Sequence, residues 1–290
     1  MRELLIQGCA KLVCKCISPY RLVARIAKAS NVDLLPLAYN QIGILKYQNE
    51  YLSGEQHLWE LLGDVLGKQT QRAIIDCGAN TGNVVIALRA CFPRARLLAL
   101  EPNPVAHQSL LANTRGLDIE THAIGLGDSN CTMDLHVDAT DPTSEHASLY
   151  SEVSRDLHRK DGARAVSVSL RTLDSLASDR AIDSIAFLKI DTEGHELSVL
   201  RGAKSLIARQ AIDAIQFEFN EMNVMSRVFL RDFYAILPGY AFFRLDTGRL
   251  IELGEYSSKN EIFRFQNIVA FNEPTVRRVL SVQDGLPGHQ

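Results

Sequence analysis

The chain reads as an α/β protein built on a mostly parallel sheet. Three observations predict this. Short, nearly continuous apolar runs at residues 73–75 (AII), 96–100 (RLLAL) and 185–190 (IAFLKI) each stop at an acid, respectively Asp76, Glu101 and Asp191. Runs of that kind mark strands covered on both faces. Helical patterns stand between the strands, and such alternation implies right-handed crossovers into a parallel sheet. A glycine-rich turn, residues 76–82 (DCGANTG), follows the first run and opens a helix.

The elements follow in order. Residues 1–70 read as helical, and residues 55–66 (EQHLWELLGDVL) set Leu58, Trp59, Leu62 and Leu66 at helical spacing. After the first strand comes a helix over 84–91, closed by Pro93. A strand at 96–100, a helix at 106–113 and a strand at 119–124 complete the first half. Residues 131–137 (CTMDLHV) and 165–170 (AVSVSL) alternate apolar and polar, as half-exposed strands do. The polar stretch 138–164 between them is longer than an ordinary connection; such loops are functional lids or disordered surface. The parallel pattern resumes with a strand at 185–190, a helix over 197–209 and a strand at 214–219 (AIQFEF). Late strands at 240–245 and 267–271 flank a turn-rich stretch, and residues 273–290 read as a mobile tail with Pro and Gly. The expected division is a helical N-terminal extension (1–70), one cofactor-binding domain (71–272) and the tail (273–290).

The chain has 290 residues, 46% of them hydrophobic, enough to bury a core without disulfides or metals. A net charge of −3 gives no reason to expect nucleic acid as a partner. None of the six cysteines forms a C-x-x-C pair or has zinc-site spacing with histidine. Free thiols suit a reducing compartment, so a cytoplasmic setting is expected. Residues 1–30 carry Arg2, Lys11, Lys15, Arg21, Arg25 and Lys28 against Glu3 alone, with apolar residues interleaved. Lys11 and Lys15 interrupt any secretory apolar region. Two readings fit this amphipathic stretch. It packs on the main domain or on a second copy in a homo-oligomer, the commoner use of such a pattern, or it lies peripherally on the inner face of an anionic membrane.

The turn at 76–82 carries the first chemistry. Glycines after a first strand let the backbone approach a ligand in the crevice beyond the strand ends. Glu101, about twenty residues past the glycines, stands where an acid accepts hydrogen bonds from ribose hydroxyls. A dinucleotide fits poorly: the pyrophosphate fingerprint is G-x-G-x-x-G, and here Asn80 replaces the middle glycine. Asp76 would also oppose a pyrophosphate. S-adenosylmethionine has no phosphate and carries a cationic amino group and a sulfonium, so acids are expected beside it. Asp76 then attracts the amino end, Glu101 grips the ribose, and Asp128 reaches the adenine amino group from beyond the third strand. Gly78, Ala79, Asn80, Gly82 and Pro102 complete the expected cofactor wall, which Asp191 joins at the end of the fourth strand.

Residues 75–82, 100–104 (LEPNP), 123–128 (AIGLGD), 170–174 (LRTLD), 188–196 (LKIDTEGHE) and 199–203 (VLRGA) together resemble the FkbM-type family of S-adenosylmethionine-dependent methyltransferases. The resemblance covers about residues 50 to 272, and the K-I-D-x-E-G-x-E block is its most specific part. It implies a Rossmann-like methyltransferase fold, a seven-stranded sheet whose last strand is antiparallel. It also implies O-methylation of a sugar or glycan hydroxyl, or of a hydroxyl in a soluble natural product. A non-catalytic adenosylmethionine-binding module is the reading from another class, and the acids at Asp191, Glu193 and Glu218 count against it.

For methyl transfer an acceptor oxygen must be held in line and lose its proton, and a positioned base typically contributes about 10²–10⁴-fold. The expected catalytic group is Asp191 and His195 at the reacting centre, with Glu193 and Glu218 orienting the acceptor. His195 is alternatively an exposed turn residue, and Glu196 a cap of the following helix. Lys189, inside a strand, needs a partner, and Glu218 is the expected one. Related metal-dependent enzymes place an Asp-Asp pair after the fifth strand; this chain lacks it, so no metal is expected. In the 138–164 loop, Ser148-Leu149 resembles a short serine-containing feature of the family, and the flanking His146 and Tyr150 are the candidate contacts to acceptor hydroxyls.

Overall fold

A computed structural model describes residues 18–138, 147–150 and 163–285. The chain forms two compact units, residues 1–42 and 43–290. The first holds helix α1 (Pro19–Ala29) and helix α2 (Leu34–Gln41). Proline opens α1 where its missing N–H costs nothing. The Asp33 side chain caps α2 by accepting from Leu35 N at 2.9 Å. Of the basic stretch 1–30, residues 1–17 lie outside the described residues. No helix among the described residues is long and apolar enough to cross a membrane.

The second unit begins with helices α3 (Glu50–Ser53) and α4 (Glu55–Leu66). The boundary expected at residue 70 therefore falls at residue 42. The reason is packing: Leu58, Trp59 and Leu62 are buried in the core of the main unit.

The alternating section runs β1 (Ala73–Cys77), α5 (Asn83–Cys91), β2 (Arg96–Leu100), α6 (Pro104–Asn113) and β3 (Ile119–His122). Three strands then form a separate small sheet: β4 (Gly125–Leu126), β5 (Cys131–Asp138) and β6 (Ala163–Arg171). The expected strand at 119–124 is thus cut at His122, because the chain leaves the large sheet there and Gly125 pairs instead with Leu170. Helix α7 (Leu173–Asp179), β7 (Ile185–Ile190), α8 (Glu196–Arg201), α9 (Lys204–Ala208) and β8 (Ile212–Phe219) follow. The helix expected over 197–209 is two helices, broken at Gly202 and Ala203. Last come α10 (Met222–Ser226), α11 (Leu230–Ile236), β9 (Tyr240–Asp246), β10 (Arg249–Glu252), β11 (Gln266–Asn272) and α12 (Glu273–Gly285).

Among the described residues the large sheet has eight strands, ordered β10-β9-β11-β8-β7-β1-β2-β3. The family resemblance implied seven; the eighth is β10, which pairs antiparallel at the edge with β9. The last strand, β11, does run antiparallel, to both β8 and β9. Side chains alternate across each strand, so the sheet feeds two cores. Ile75, Leu98, Leu188 and Phe217 face the α8 and α11 side, while Ile74, Leu97, Phe187 and Phe271 face the α4 and α5 side. The mobile tail expected at 273–290 is instead a helix as far as Gly285. The Asn272 side chain caps it by accepting from Thr275 N at 3.1 Å, and Val279 is fully buried.

The sheet geometry places the site. The parallel strands β1, β2, β7 and β8 all end on one edge. Cys77, Glu101, Asp191 and Asn220 therefore leave the sheet side by side, at the crevice expected for an open α/β fold.

Candidate active site

A cavity of about 1040 Å³ opens at this edge. One wall is the loop after β1 and the end of β2, comprising Gly78, Ala79, Asn80, Thr81, Glu101, Pro102 and Asn103. Gly78 has φ +89°, and a Cβ there would overlap the carbonyl oxygen of Asp191. Only glycine fits. Its N–H and that of Ala79 both donate to Leu100 O, at 2.9 and 3.0 Å, tying the loop to β2. Asn80 has φ +44°, a left-handed conformation that Asn tolerates better than most residues.

Glu101 braces this wall. One carboxylate oxygen accepts from Asn80 N at 2.8 Å and the other from Asn103 N at 2.7 Å. Each oxygen has a second acceptor site, so a diol can still donate to it. Burial pushes the Glu101 carboxyl up to about 7, against the opposing pull of those two N–H groups. The cations of the cavity, Lys189 and Arg264, are held by Asp191 at 2.7 Å and Glu221 at 3.0 Å. This donor set suits a ribose and a cationic sulfonium far better than a pyrophosphate.

Asp191, Glu193, His195 and Glu218 all line the same cavity, so four residues from two strand ends converge as expected. Of the expected cofactor residues, Gly78, Ala79, Asn80, Glu101, Pro102 and Asp191 line it, whereas Asp76, Gly82 and Asp128 do not. Asp128 is exposed and accepts from Ser129 Oγ at 3.0 Å, so Gly125 and Leu126 form that part of the wall. Gly82 serves the start of α5, with φ +95°.

Asp76 is 1% exposed, and neither carboxylate oxygen has a hydrogen-bond partner among the described residues. Burial raises its carboxyl to about 6, with Lys189 pulling the other way. The sign of the pH effect follows. Below about pH 4 Asp76 is protonated in both states. Between about 4 and 6 the unfolded chain ionises it while the folded one retains the proton, so stability falls as pH rises, and the penalty is constant above. Asp76→Asn removes it. The variant is expected to exceed the wild type by about 2–3 kcal/mol at pH 7.5, since each tenfold change in proton affinity is worth about 1.4 kcal/mol. Urea unfolding at pH 7.5 and 4.5 checks this, with the gain shrinking at the lower pH. A variant weaker than the wild type at pH 7.5 contradicts it.

Lys189 is buried, and its partner is Asp191 rather than the expected Glu218. Glu55 Oε1 lies 4.0 Å from the same ammonium, and Asp191 Oδ2 at 2.7 Å. Glu55 is fixed by Gln216 Nε2 at 2.7 Å and Ser53 Oγ at 2.9 Å. The surrounding carboxylates hold the lysine well above its ordinary value in spite of burial. Burial, then the charges of Asp191 and Glu193, push Glu218 well above the usual carboxylate range.

His195 is 7% exposed, so it is not an exposed turn residue. Tyr150 OH lies 3.2 Å from Nδ1, and Nε2 has no partner among the described residues. Burial lowers the imidazole to about 4, so it is neutral. Glu196 takes the structural role: one oxygen accepts from Thr192 N, Thr192 Oγ1 and Gly194 N, at 3.0–3.1 Å. That brace holds Glu193 at φ +54°. Ser148 Oγ donates to Glu193 O at 2.9 Å, and Ala147 and Leu149 line the cavity. His146 lies outside the described residues.

Sequence reasoning missed Leu45, Tyr47, Gln48, Asn49, Glu50, Glu55, Arg264 and Phe265, all in the cavity wall. They come from either end of the second unit and share no spacing that singles them out.

Comparison with known proteins accords with this geometry. The chain is 29% identical over 163 residues to Methyltransferase sdnD of Sordaria araneosa, a match covering 48% of this chain and 63% of that protein. It is 25% identical to the 2-O-methyltransferase NoeI of Sinorhizobium fredii, covering 58% and 71%. Among solved structures, an O-methyltransferase from Bacillus cereus in complex with SAH aligns at 14% identity with a TM-score of 0.36, covering 91% of this chain and 96% of that one. The model of the Methyltransferase FkbM domain matches residues 76–241, more than half of the chain. The chain belongs to the FkbM methyltransferase family.

Proposed function

We propose that this protein is an O-methyltransferase that transfers the methyl group of S-adenosylmethionine to a hydroxyl of a sugar or glycan. The observation that carries the reading is the junction of two walls in one cavity. Gly78–Asn80 and Glu101 line the same cavity as Asp191, Glu193, His195 and Glu218, and Gly78 packs against the Asp191 carbonyl where the two walls meet. S-adenosylmethionine, the cofactor of this family, supplies an electrophilic methyl carbon on a sulfonium. Glu101 would hold the ribose hydroxyls, with Gly78 and Ala79 giving close backbone approach.

The remaining work falls to the chain's own residues. Glu218, which lines the cavity near the end of β8, orients the acceptor. Asp191, fixed by Lys189 and the more open member of that pair at 31% side-chain exposure, accepts the hydroxyl proton. The neutral His195 closes the wall and excludes water from that end. The 2-O-methyltransferase activity named for NoeI supports oxygen as the acceptor atom.

The test is adenosylhomocysteine formation with a panel of uncharged glycosides. Asp191→Asn is expected to lower kcat by about 10²–10⁴-fold, the range for a positioned base, with cofactor affinity held within a few-fold. Full turnover by that variant would remove Asp191 from the reaction, and methylation of amines but no hydroxyls would remove the O-methyl reading.

A further inference from the structure

The residues 45–50 lie outside the family-matched segment, yet Leu45, Tyr47, Gln48, Asn49 and Glu50 form part of the cavity wall. The chain holds this stretch rigidly. Gly43 has φ +76° and no room for a Cβ against the Leu245 carbonyl. Leu45 takes φ +63°, a conformation uncommon for any side chain of its size, and its N–H donates to Phe265 O at 2.8 Å. Lys46 forms an ion pair with Asp246 and donates to Thr247 Oγ1 at 3.1 Å, and that hydroxyl donates to Leu52 O at 3.0 Å. Strained backbone persists only where its surroundings over-determine it, and it gathers at functional sites.

What the staple presents is the ring of Tyr47. It is 65% exposed on the cavity wall and meets Phe265 edge-on, with ring centroids 5.9 Å apart and planes at 83°. An aromatic ring that meets Phe265 edge-on and is otherwise left open contributes little to the core. It offers an electron-rich face to a partner with apolar C–H groups. The neighbouring wall supplies hydrogen-bonding groups in number: Glu50, Glu55, Glu193, Glu218, Gln48 and Asn220. The lining cations Lys189 and Arg264 are already engaged by carboxylates. A ligand with C–H groups on one face and hydroxyls at its rim matches both features, and an anionic ligand is repelled.

Building on the O-methyltransferase reading above, we propose that Tyr47 and Phe265 form an acceptor subsite that stacks on the face of an uncharged saccharide ring. The subsite excludes acceptors bearing carboxylate or phosphate. The staple costs conformational freedom before the ligand arrives, so little is lost on binding.

The test is a glycan array carrying neutral, uronate and phosphorylated members, read with the full chain saturated with adenosylhomocysteine. The wild type is expected to bind neutral members at least tenfold more tightly than their anionic counterparts. Tyr47→Ala is expected to lose at least tenfold on those neutral members, Tyr47→Trp to stay within threefold, and adenosylhomocysteine affinity to be unchanged in both. That last measurement shows that each variant is folded. Preferential binding of uronates or phosphates overturns the charge exclusion, and neutral binding indifferent to Tyr47→Ala overturns the stacking subsite alone. A blank array with intact adenosylhomocysteine binding overturns the saccharide reading and this inference with it.

Discussion

Gly78→Ala is expected to lower S-adenosylmethionine affinity at least a hundredfold and to destabilise the fold by several kcal/mol. Gly78 stands where the ends of three strands touch. Its own N–H is bonded to Leu100 O of β2, and Asp191 N, just past β7, donates to Cys77 O at 2.9 Å. Alanine at φ +89° carries backbone strain of about 1–3 kcal/mol. Its methyl group then overlaps the Asp191 carbonyl, and relieving that contact in a packed interior costs typically about 1–3 kcal/mol more. The strand end that must give way carries Asp191, so one methyl group disturbs the cofactor wall and the proposed proton acceptor together. Calorimetric titration and thermal unfolding measure the two effects. Wild-type affinity in Gly78→Ala would mean that the loop does not approach the ligand closely.

The second large effect belongs to Lys189→Met. Lys189 is 4% exposed and is the cation among Asp76, Asp191, Glu55 and Glu218, all of which act on it electrostatically. Methionine fills similar space and leaves those carboxylates facing one another. Removing one partner of a buried pair typically costs about 3–5 kcal/mol, and that loss is expected at neutral pH. The sign with pH is set by the carboxylates. Without the lysine the folded values of Asp76 and Glu218, already raised by burial, rise further, so these two ionise in the unfolded chain before the folded one, and stability falls as pH climbs from about 4. The deficit is therefore expected to be largest near pH 7.5 and smallest near pH 4.5. Urea unfolding of both proteins at the two values measures it. An equal deficit at both would mean that lost packing, and not the charge cluster, is responsible.

Much of the fold is legible because buried parallel strands write themselves as uninterrupted apolar runs. Arg96–Leu100 and Ile185–Ile190 match their predicted limits for that reason. The cofactor wall is legible in part, since glycines and an acid at fixed distances from strand ends have few other uses. Spacing locates a residue along the chain but does not tell which way its side chain turns. Asp76 and Asp128 depart from expectation on that account: one turns into the interior and the other towards solvent. Helix α12 is hidden because Pro274 and Gly285 read as breakers. Proline in a first turn starts a helix, and Val276, Val279 and Val282 repeat every third residue behind it. The part of the cavity wall supplied by residues 45–55 and 264–265 is not legible at all. Tyr47, Glu55 and Phe265 are ordinary residues whose importance comes only from where the folded chain brings them.

The staple joining residues 45–46 to 246 and 265 has a bearing on how this enzyme assembles. Its contacts close loops of about two hundred residues, which makes them among the last to pay back their entropy during folding. The glycine loop and β1 meet β2 close by in sequence and β7 about a hundred residues on, whereas the wall around Tyr47 and Phe265 waits for segments about two hundred residues apart. A chain trimmed to the family-matched residues would keep one wall of the cavity and lose much of the other. On the proposed subsite, sequence drift at the two flanks retunes what is methylated and leaves the family-matched loop after β1 as it is.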